Sequence, residues 1–167
     1  SESLGDLVAR RVAFLTDYQN AAFAASYRAF VERVAARERQ VVPGSDRLAR
    51  AVARYAFKLR AIKDEFEVAR LYTDGGFRKQ LESEFEGDYR LELHMAPQIL
   101  NPGPADTGRA KKFKFGPWMF RVLELMAKLK FLRGTPLDIP GYTAHRRLER
   151  QLITDYEKVV DELVAGL

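Results

Sequence analysis

Apolar residues recur at helical spacing along most of the chain. Residues 4–41 contain no proline and no glycine after Gly5, and are rich in Ala, Arg and Glu. Their stripe runs Val8, Val12, Leu15, Tyr18, Ala22, Phe23, Tyr27, Phe30 and Val34. It predicts one long helix or two in series, with Asp6 as the cap and Ala21 to Ala25 allowing close approach of a neighbour. Pro43, Gly44, Ser45 and Asp46 break that run and open the next. Leu48, Val52, Tyr55, Leu59, Ile62, Phe66 and Ala69 then step by four and three, which predicts one helix over 48–69 pairing with the first. Arg60 with Asp64, and Lys63 with Glu67, would then form i,i+4 pairs on its outer side. Thr73 to Gly76 end this helix, and a short one follows over 77–85.

Alternation replaces the helical period at Tyr89–His94 and again at Lys112–Phe115, which predicts two paired strands. Between them, residues 96–110 hold three prolines and two glycines and read as a long loop. Pro117 opens a helix in which Trp118, Met119, Val122, Leu123, Leu125, Met126, Leu129 and Leu132 cover more than half the circumference. A helix so apolar is expected at the centre of the bundle. The last helix, over 143–163, carries Leu148, Leu152, Tyr156, Val159 and Leu163. The predicted fold class is mainly α: a helical bundle of about five helices with a small two-stranded antiparallel β ribbon. Residues 1–167 are read as a single helical domain.

Composition narrows the classes. The 167 residues are 47% hydrophobic and 31% charged, an ordinary globular balance. The chain has no cysteine, which removes disulfides, thiolate zinc sites and cysteine-held iron–sulfur clusters from this segment. No apolar run is long enough for a membrane span, and the first residues lack a signal-peptide stretch. The absence of an initiator Met suggests a segment of a longer multidomain chain.

The net charge of +5 is unevenly placed. Residues 109–133 hold eight cations and the single acid Glu124, a local charge of +7, so the remainder sums to −2. That describes one positive patch, preceded by the acidic stretch Glu82, Glu84, Glu86 and Asp88. Arg109, Lys111, Lys112 and Lys114 form a candidate basic docking patch for an acidic partner. Lys111 to Gly116 also interleaves cations with rings, as single-strand nucleic-acid sites do. The same alternation describes a half-buried strand.

Candidate chemistry is sparse. His94 and His145 lie 51 residues apart and neither follows a Glu-x-x-His pattern, leaving only a His–carboxylate dyad formed in space. Gly103 to Gly108 has the spacing of a phosphate loop but lacks its Lys-Ser/Thr. Asp64, Glu65 and Glu67 cluster on the second helix, where basic neighbours make solvated pairing the expectation. Lys58 and Glu65, seven apart, would share a face. No catalytic, cofactor-binding or metal-ligating residue is assigned.

One resemblance supplies more. The string AVARYAFKLRAIKDEFEVARLYTDGGF (51–77) is similar to the C-terminal region of the large, fused-type indolepyruvate ferredoxin oxidoreductases. FEGDYRLELHMAP, FGPW, LRGTP, GYTAHRRLER and LITDYE continue it, and LVARRVAFLTDYQNAAFAASYRAFVERV opens it. The resemblance implies a parent 2-oxoacid oxidoreductase that oxidatively decarboxylates arylpyruvates to acyl-CoA. It implies thiamine diphosphate, Mg and iron–sulfur clusters in the parent, ferredoxin as electron acceptor, a cytoplasmic location and an oligomeric assembly. The thiamine-binding and oxidoreductase domains of that family lie before the matched region, and this chain has no Gly-Asp-Gly motif of thiamine enzymes. The expected role is therefore a non-catalytic accessory domain packing on the catalytic domains. Lys58, Lys63, Asp64, Glu65, Arg70, Tyr72 and Asp74 are its candidate interface. The alternatives are a basic docking surface for an acidic partner such as ferredoxin, or a nucleic-acid-binding helical module.

Overall fold

The computed structural model describes residues 2–96 and 111–167. The loop expected over 96–110, its Gly103–Gly108 motif and Arg109 lie, apart from Ala96, outside the described residues. The described residues are mainly helical: seven α-helices and one two-stranded antiparallel sheet. None of these helices is long and apolar enough to cross a membrane. The chain divides into two compact units, Ser1–Ile62 with Tyr142–Leu167, and Lys63–Gly141.

The first unit is built from α1 (Leu4–Tyr18), α2 (Ala21–Val41), α3 (Arg47–Arg60) and, from the end of the chain, α7 (Ala144–Ala165). The long apolar run at the start is two helices in series. Asn20 interrupts it because its side chain accepts from the Phe23 N–H at 2.9 Å and so caps α2. The cap of α1 is Ser3, not Asp6: the Ser3 hydroxyl oxygen accepts from the Asp6 N–H at 3.1 Å. Leu15, Tyr18, Tyr27, Val31, Val34 and Val52 form the interior. Ala49, Ala53 and Ala56 line the inner side of α3, and their small size lets α2 and α3 pack closely enough for the Tyr27 hydroxyl to donate to the Ala53 carbonyl at 2.9 Å.

Two expectations change here. Tyr55 was read into the buried stripe of α3 but is 56% exposed, because the alanine row faces inward. On α7, Val160 is buried and Tyr156 and Val164 pack beside it, whereas Leu148, Leu152, Val159 and Leu163 face out. The apolar residues of α7 span two adjacent faces, and only one is used inside this unit.

The second unit contains α4 (Glu65–Thr73), α5 (Gly76–Glu84), β1 (Leu93–Met95), β2 (Phe113–Phe115) and α6 (Met119–Lys128), which tightens into a 3-10 turn at Leu129–Leu132. The single helix expected over 48–69 is thus two. It ends at Arg60 and restarts at Glu65, since Asp64 leaves the helical conformation to cap α4, accepting from the Glu67 N–H at 2.8 Å. The ribbon forms with Leu93 opposite Phe115, His94 opposite Lys114 and Met95 opposite Phe113, three residues per strand and later in the chain than the expected 89–94. Its core is small: Ala69, Leu93 and Leu123, with Tyr72, Met95, Phe115, Met119, Phe120 and Met126 half-buried around them. The central position expected for α6 is not found within its own unit. Leu123 packs toward α4, while Trp118 and Leu125 are each 59% exposed.

Candidate functional site

Buried charge in the second unit is concentrated at the start of α4. Asp64 and Glu67 are both buried, so each needs a partner inside the fold. Asp64 receives a two-pronged bond from Arg133, at 2.5 Å from Nε and 2.8 Å from Nη2, across 69 residues of chain. The Arg133 guanidinium also lies 5.5 Å from the centre of the Phe66 ring. Glu67 takes two bonds from Arg70, at 2.9 and 2.8 Å, and Arg70 reaches Asp74 at 3.8 Å. Asp74 in turn accepts from the Gly76 N–H at 2.9 Å and starts α5. The expected i,i+4 pairs with Arg60 and Lys63 therefore do not form, and the reading of Asp64 and Glu67 as solvated is corrected. The helix break removes Arg60 from Asp64. Arg60 is instead buried in the first unit, where it pairs with Glu157 and donates to the Ala56 carbonyl. Burial pulls its guanidinium pKa down, and Glu157 opposes that shift.

Arg133 also begins a braced turn. Gly134 has φ +78°, a backbone shape that favours glycine. Asp138, buried, accepts from the Gly134 N–H at 2.8 Å and from the Gly141 N–H at 3.0 Å. A Cβ at Gly141 would overlap the Asp138 carboxylate, so any side chain there must displace the group that braces the turn. Between these anchors Leu137 and Ile139 project outward, 69% and 71% exposed.

The remaining expected interface residues scatter. Lys58 belongs to the first unit and is exposed; its shared face with Glu65 is lost at the helix break. Lys63 is exposed and Glu65 half-buried. Tyr72 lines a cavity of about 400 Å³ with Phe77, Phe120, Arg78 and Arg90. The Tyr72 and Phe77 rings meet edge to face at 5.0 Å. Of the basic patch, Lys111, Lys112 and Lys114 are exposed on or beside β2. Lys114 bonds Glu92 at 2.7 Å, and that bond holds the Glu92 carboxyl below its ordinary pKa; the Lys111 ammonium lies 5.5 Å from the Phe113 ring centre. The acidic stretch Glu82 to Asp88 is exposed. His145 does meet a carboxylate: its exposed ring lies 3.1 Å from Glu149, an i,i+4 neighbour on α7 that is half-buried and also bonded by Arg146 at 2.7 Å. Among the described residues no group of three or more His, Cys, Asp or Glu is placed to hold a metal ion.

Sequence reasoning missed Arg133 as the partner of buried Asp64, and Asp138 and Arg60 as buried charges. Arg133 and Asp138 carried a faint signal, each beside a glycine- or proline-marked turn. Arg60 carried none, since it reads as one more cation on an outer helical face.

Such a geometry defines a mainly α protein whose conspicuous charged residues act as internal struts and whose braced turn presents apolar side chains. The chain belongs to the Family of unknown function (DUF6537), whose model matches residues 4–167. No curated protein and no solved structure matches it.

Proposed function

We propose that this chain is a non-catalytic accessory and interaction domain of an indolepyruvate-type 2-oxoacid:ferredoxin oxidoreductase, a cytoplasmic enzyme whose catalytic domains lie elsewhere in a longer chain. The observation that carries the reading is the braced turn. Residues from two of the resembling motifs, Asp64 of the 51–77 string and Arg133 of LRGTP, bond each other, and the turn they support leaves Leu137 and Ile139 bare. Large apolar side chains held out on a fixed turn suit burial under a neighbouring domain better than contact with water. The charges beneath them are already matched within the fold, so they serve positioning rather than acid–base chemistry.

Thiamine diphosphate, Mg and the iron–sulfur clusters would be held by the parent's other domains. This chain has no cysteine to ligate a cluster, and its residues do not fit that group. The test is Leu137→Asp with Ile139→Asp in the parent enzyme. The expected result is loss of assembly, or assembled enzyme with slowed turnover. Unchanged assembly and unchanged turnover overturn the reading.

The exposed lysines beside β2 favour a second reading, a docking surface for an acidic electron carrier such as ferredoxin. Charge complementarity acts mainly on association rate and is screened by salt. Reversing Lys111, Lys112 and Lys114 should then slow ferredoxin reduction at low ionic strength and leave it unaltered at high. No change at low salt removes this reading.

A further inference from the structure

The cavity of about 400 Å³ in the second unit is lined by charges of both signs that the fold itself does not use. Its apolar wall is aromatic. Phe77 of α5 and Phe120 of α6 lie 6.3 Å apart with their planes 18° from parallel, and Tyr72 meets Phe77 edge-on. Arg78 and Arg90 line the same space, and so do Glu82 and Glu124. Two cations and two acids leave the cavity without net charge.

These four charges do not cancel by contact: among the described residues, no ion pair holds any of them. Arg78 and Glu82 stand one turn apart on α5, but the cation precedes the acid, the weaker order for a helical pair. Glu124 is the single acid among the eight cations of 109–133, with Arg121 and Lys128 three and four residues away. It pairs with neither. It stands one turn beyond Phe120 on α6 and lines the cavity with it.

We infer that this cavity binds an aromatic α-amino acid. The ligand's ring packs on Phe77 and Phe120 in the offset or edge-on manner of aromatic pairs. Its carboxylate takes N–H bonds from Arg78 and Arg90, and its ammonium donates to Glu82 and Glu124. An aromatic acid lacking the ammonium would set its charge against the two glutamates, and an aromatic amine would set its own against the arginines. Only a zwitterion answers both signs. The volume is within the range of small-molecule sites and holds a ring-bearing amino acid. Such binding requires no other domain of a parent chain.

Trp118, the chain's one tryptophan, makes the binding visible. Its indole and the Arg90 guanidinium converge over Gly116, 3.5 and 3.9 Å from where a Cβ would stand. L-Phenylalanine titrated into the 167-residue chain should change Trp118 emission saturably, and calorimetry should return the same half-saturation. Phenylpropionate, which lacks the ammonium, and phenethylamine, which lacks the carboxylate, should each bind at least about tenfold more weakly. Leucine, which lacks the ring, should also bind more weakly than phenylalanine. Glu124→Gln should weaken phenylalanine by about tenfold and narrow its advantage over phenylpropionate. Arg78→Gln should weaken phenylalanine similarly and narrow its advantage over phenethylamine. Both positions are exposed, so the variants should keep the wild-type circular dichroism and melting. Absence of both binding heat and emission change with phenylalanine overturns the inference. So does phenylpropionate or leucine binding as tightly as phenylalanine.

Discussion

In the unit formed by Ser1–Ile62 and Tyr142–Leu167, Leu15, Tyr27 and Val34 are fully shielded from water and belong to one continuous cluster of fifteen buried apolar residues. In the unit Lys63–Gly141, only Ala69, Leu93 and Leu123 are buried in the corresponding cluster. The smaller core is accompanied by three buried carboxylates, Asp64, Glu67 and Asp138, matched to arginine or to backbone N–H groups. The first unit holds its shape by excluding water from closely packed side chains. The second adds directed bonds to buried carboxylates, one pair joining segments 69 residues apart and the others bracing a helix turn and a loop. Such bonds give up hydration to form, so they specify geometry more than they add net stability. Removing one member of a strut should therefore cost more than the intact strut contributes.

The largest expected effect comes from that asymmetry. Asp64→Ala removes the two-pronged bond to Arg133 and uncaps α4, and should cost about 3–5 kcal/mol. Asp64→Leu with Arg133→Leu should recover most of it. Hydrogen exchange by mass spectrometry reads where the loss falls: faster exchange in α4 and α6, with α1 to α3 still protected. Uniform loss across both units would break the contrast. Leu15→Ala is the converse, with about 2–5 kcal/mol lost from the first unit through the cavity it leaves. Its exchange should quicken in α1, α2 and α3.

Gly141→Ala is smaller. The added methyl displaces the Asp138 carboxylate and loosens the turn, for about 1–3 kcal/mol by calorimetry. Asp138→Asn should cost less than Gly141→Ala, because its amide oxygen can still accept one of the two N–H bonds.

Even the first unit uses one buried carboxylate, and this gives the smallest prediction. Glu38 of α2 caps α3 from outside: it accepts from the Ser45 hydroxyl at 2.6 Å, the Leu48 N–H at 3.0 Å and the Ala49 N–H at 2.8 Å. Asp46, which precedes α3, makes no side-chain cap and binds Arg50 instead. Burial pushes the Glu38 pKa up, but the bonds from Ser45, Ala49, Leu48 and Arg47 outweigh it and hold it below the ordinary value. A depressed folded pKa means stability that is complete above the unfolded carboxylate range, near about 4.3, and fades as pH falls through the folded value. Glu38→Gln should thus lower stability by about 1 kcal/mol at pH 7. The gap to the wild type should close in melts taken at progressively lower pH. A gap independent of pH would mean the bonds, not the charge, make the cap.

How much was legible depends on whether the signal was local. Helix positions followed from spacing, and the fold class with its ribbon followed from the switch between periods of 3.6 and 2 at Tyr89 and Lys112. The break at Asp64 was not legible, because apolar spacing runs unbroken through Leu59, Ile62 and Phe66. What ends α3 is a capping aspartate held by an arginine 69 residues later, and no window of sequence contains both. The burial of Asp64 was hidden for the same reason: its partner Arg133 lies too far along the chain for any local pattern to show it.

By itself, then, the sequence determined that this chain is mainly helical, that it carries no cysteine chemistry, and roughly where α1, α3, α5, α6 and α7 begin. Those are consequences of side-chain period, backbone propensity and composition, each fixed within a few turns of chain. Which apolar face of α6 and α7 is covered, and which charges meet, was decided only in the folded chain. An amphipathic helix with two apolar faces satisfies its local preferences either way, and only the shape of its neighbours selects the one that packs.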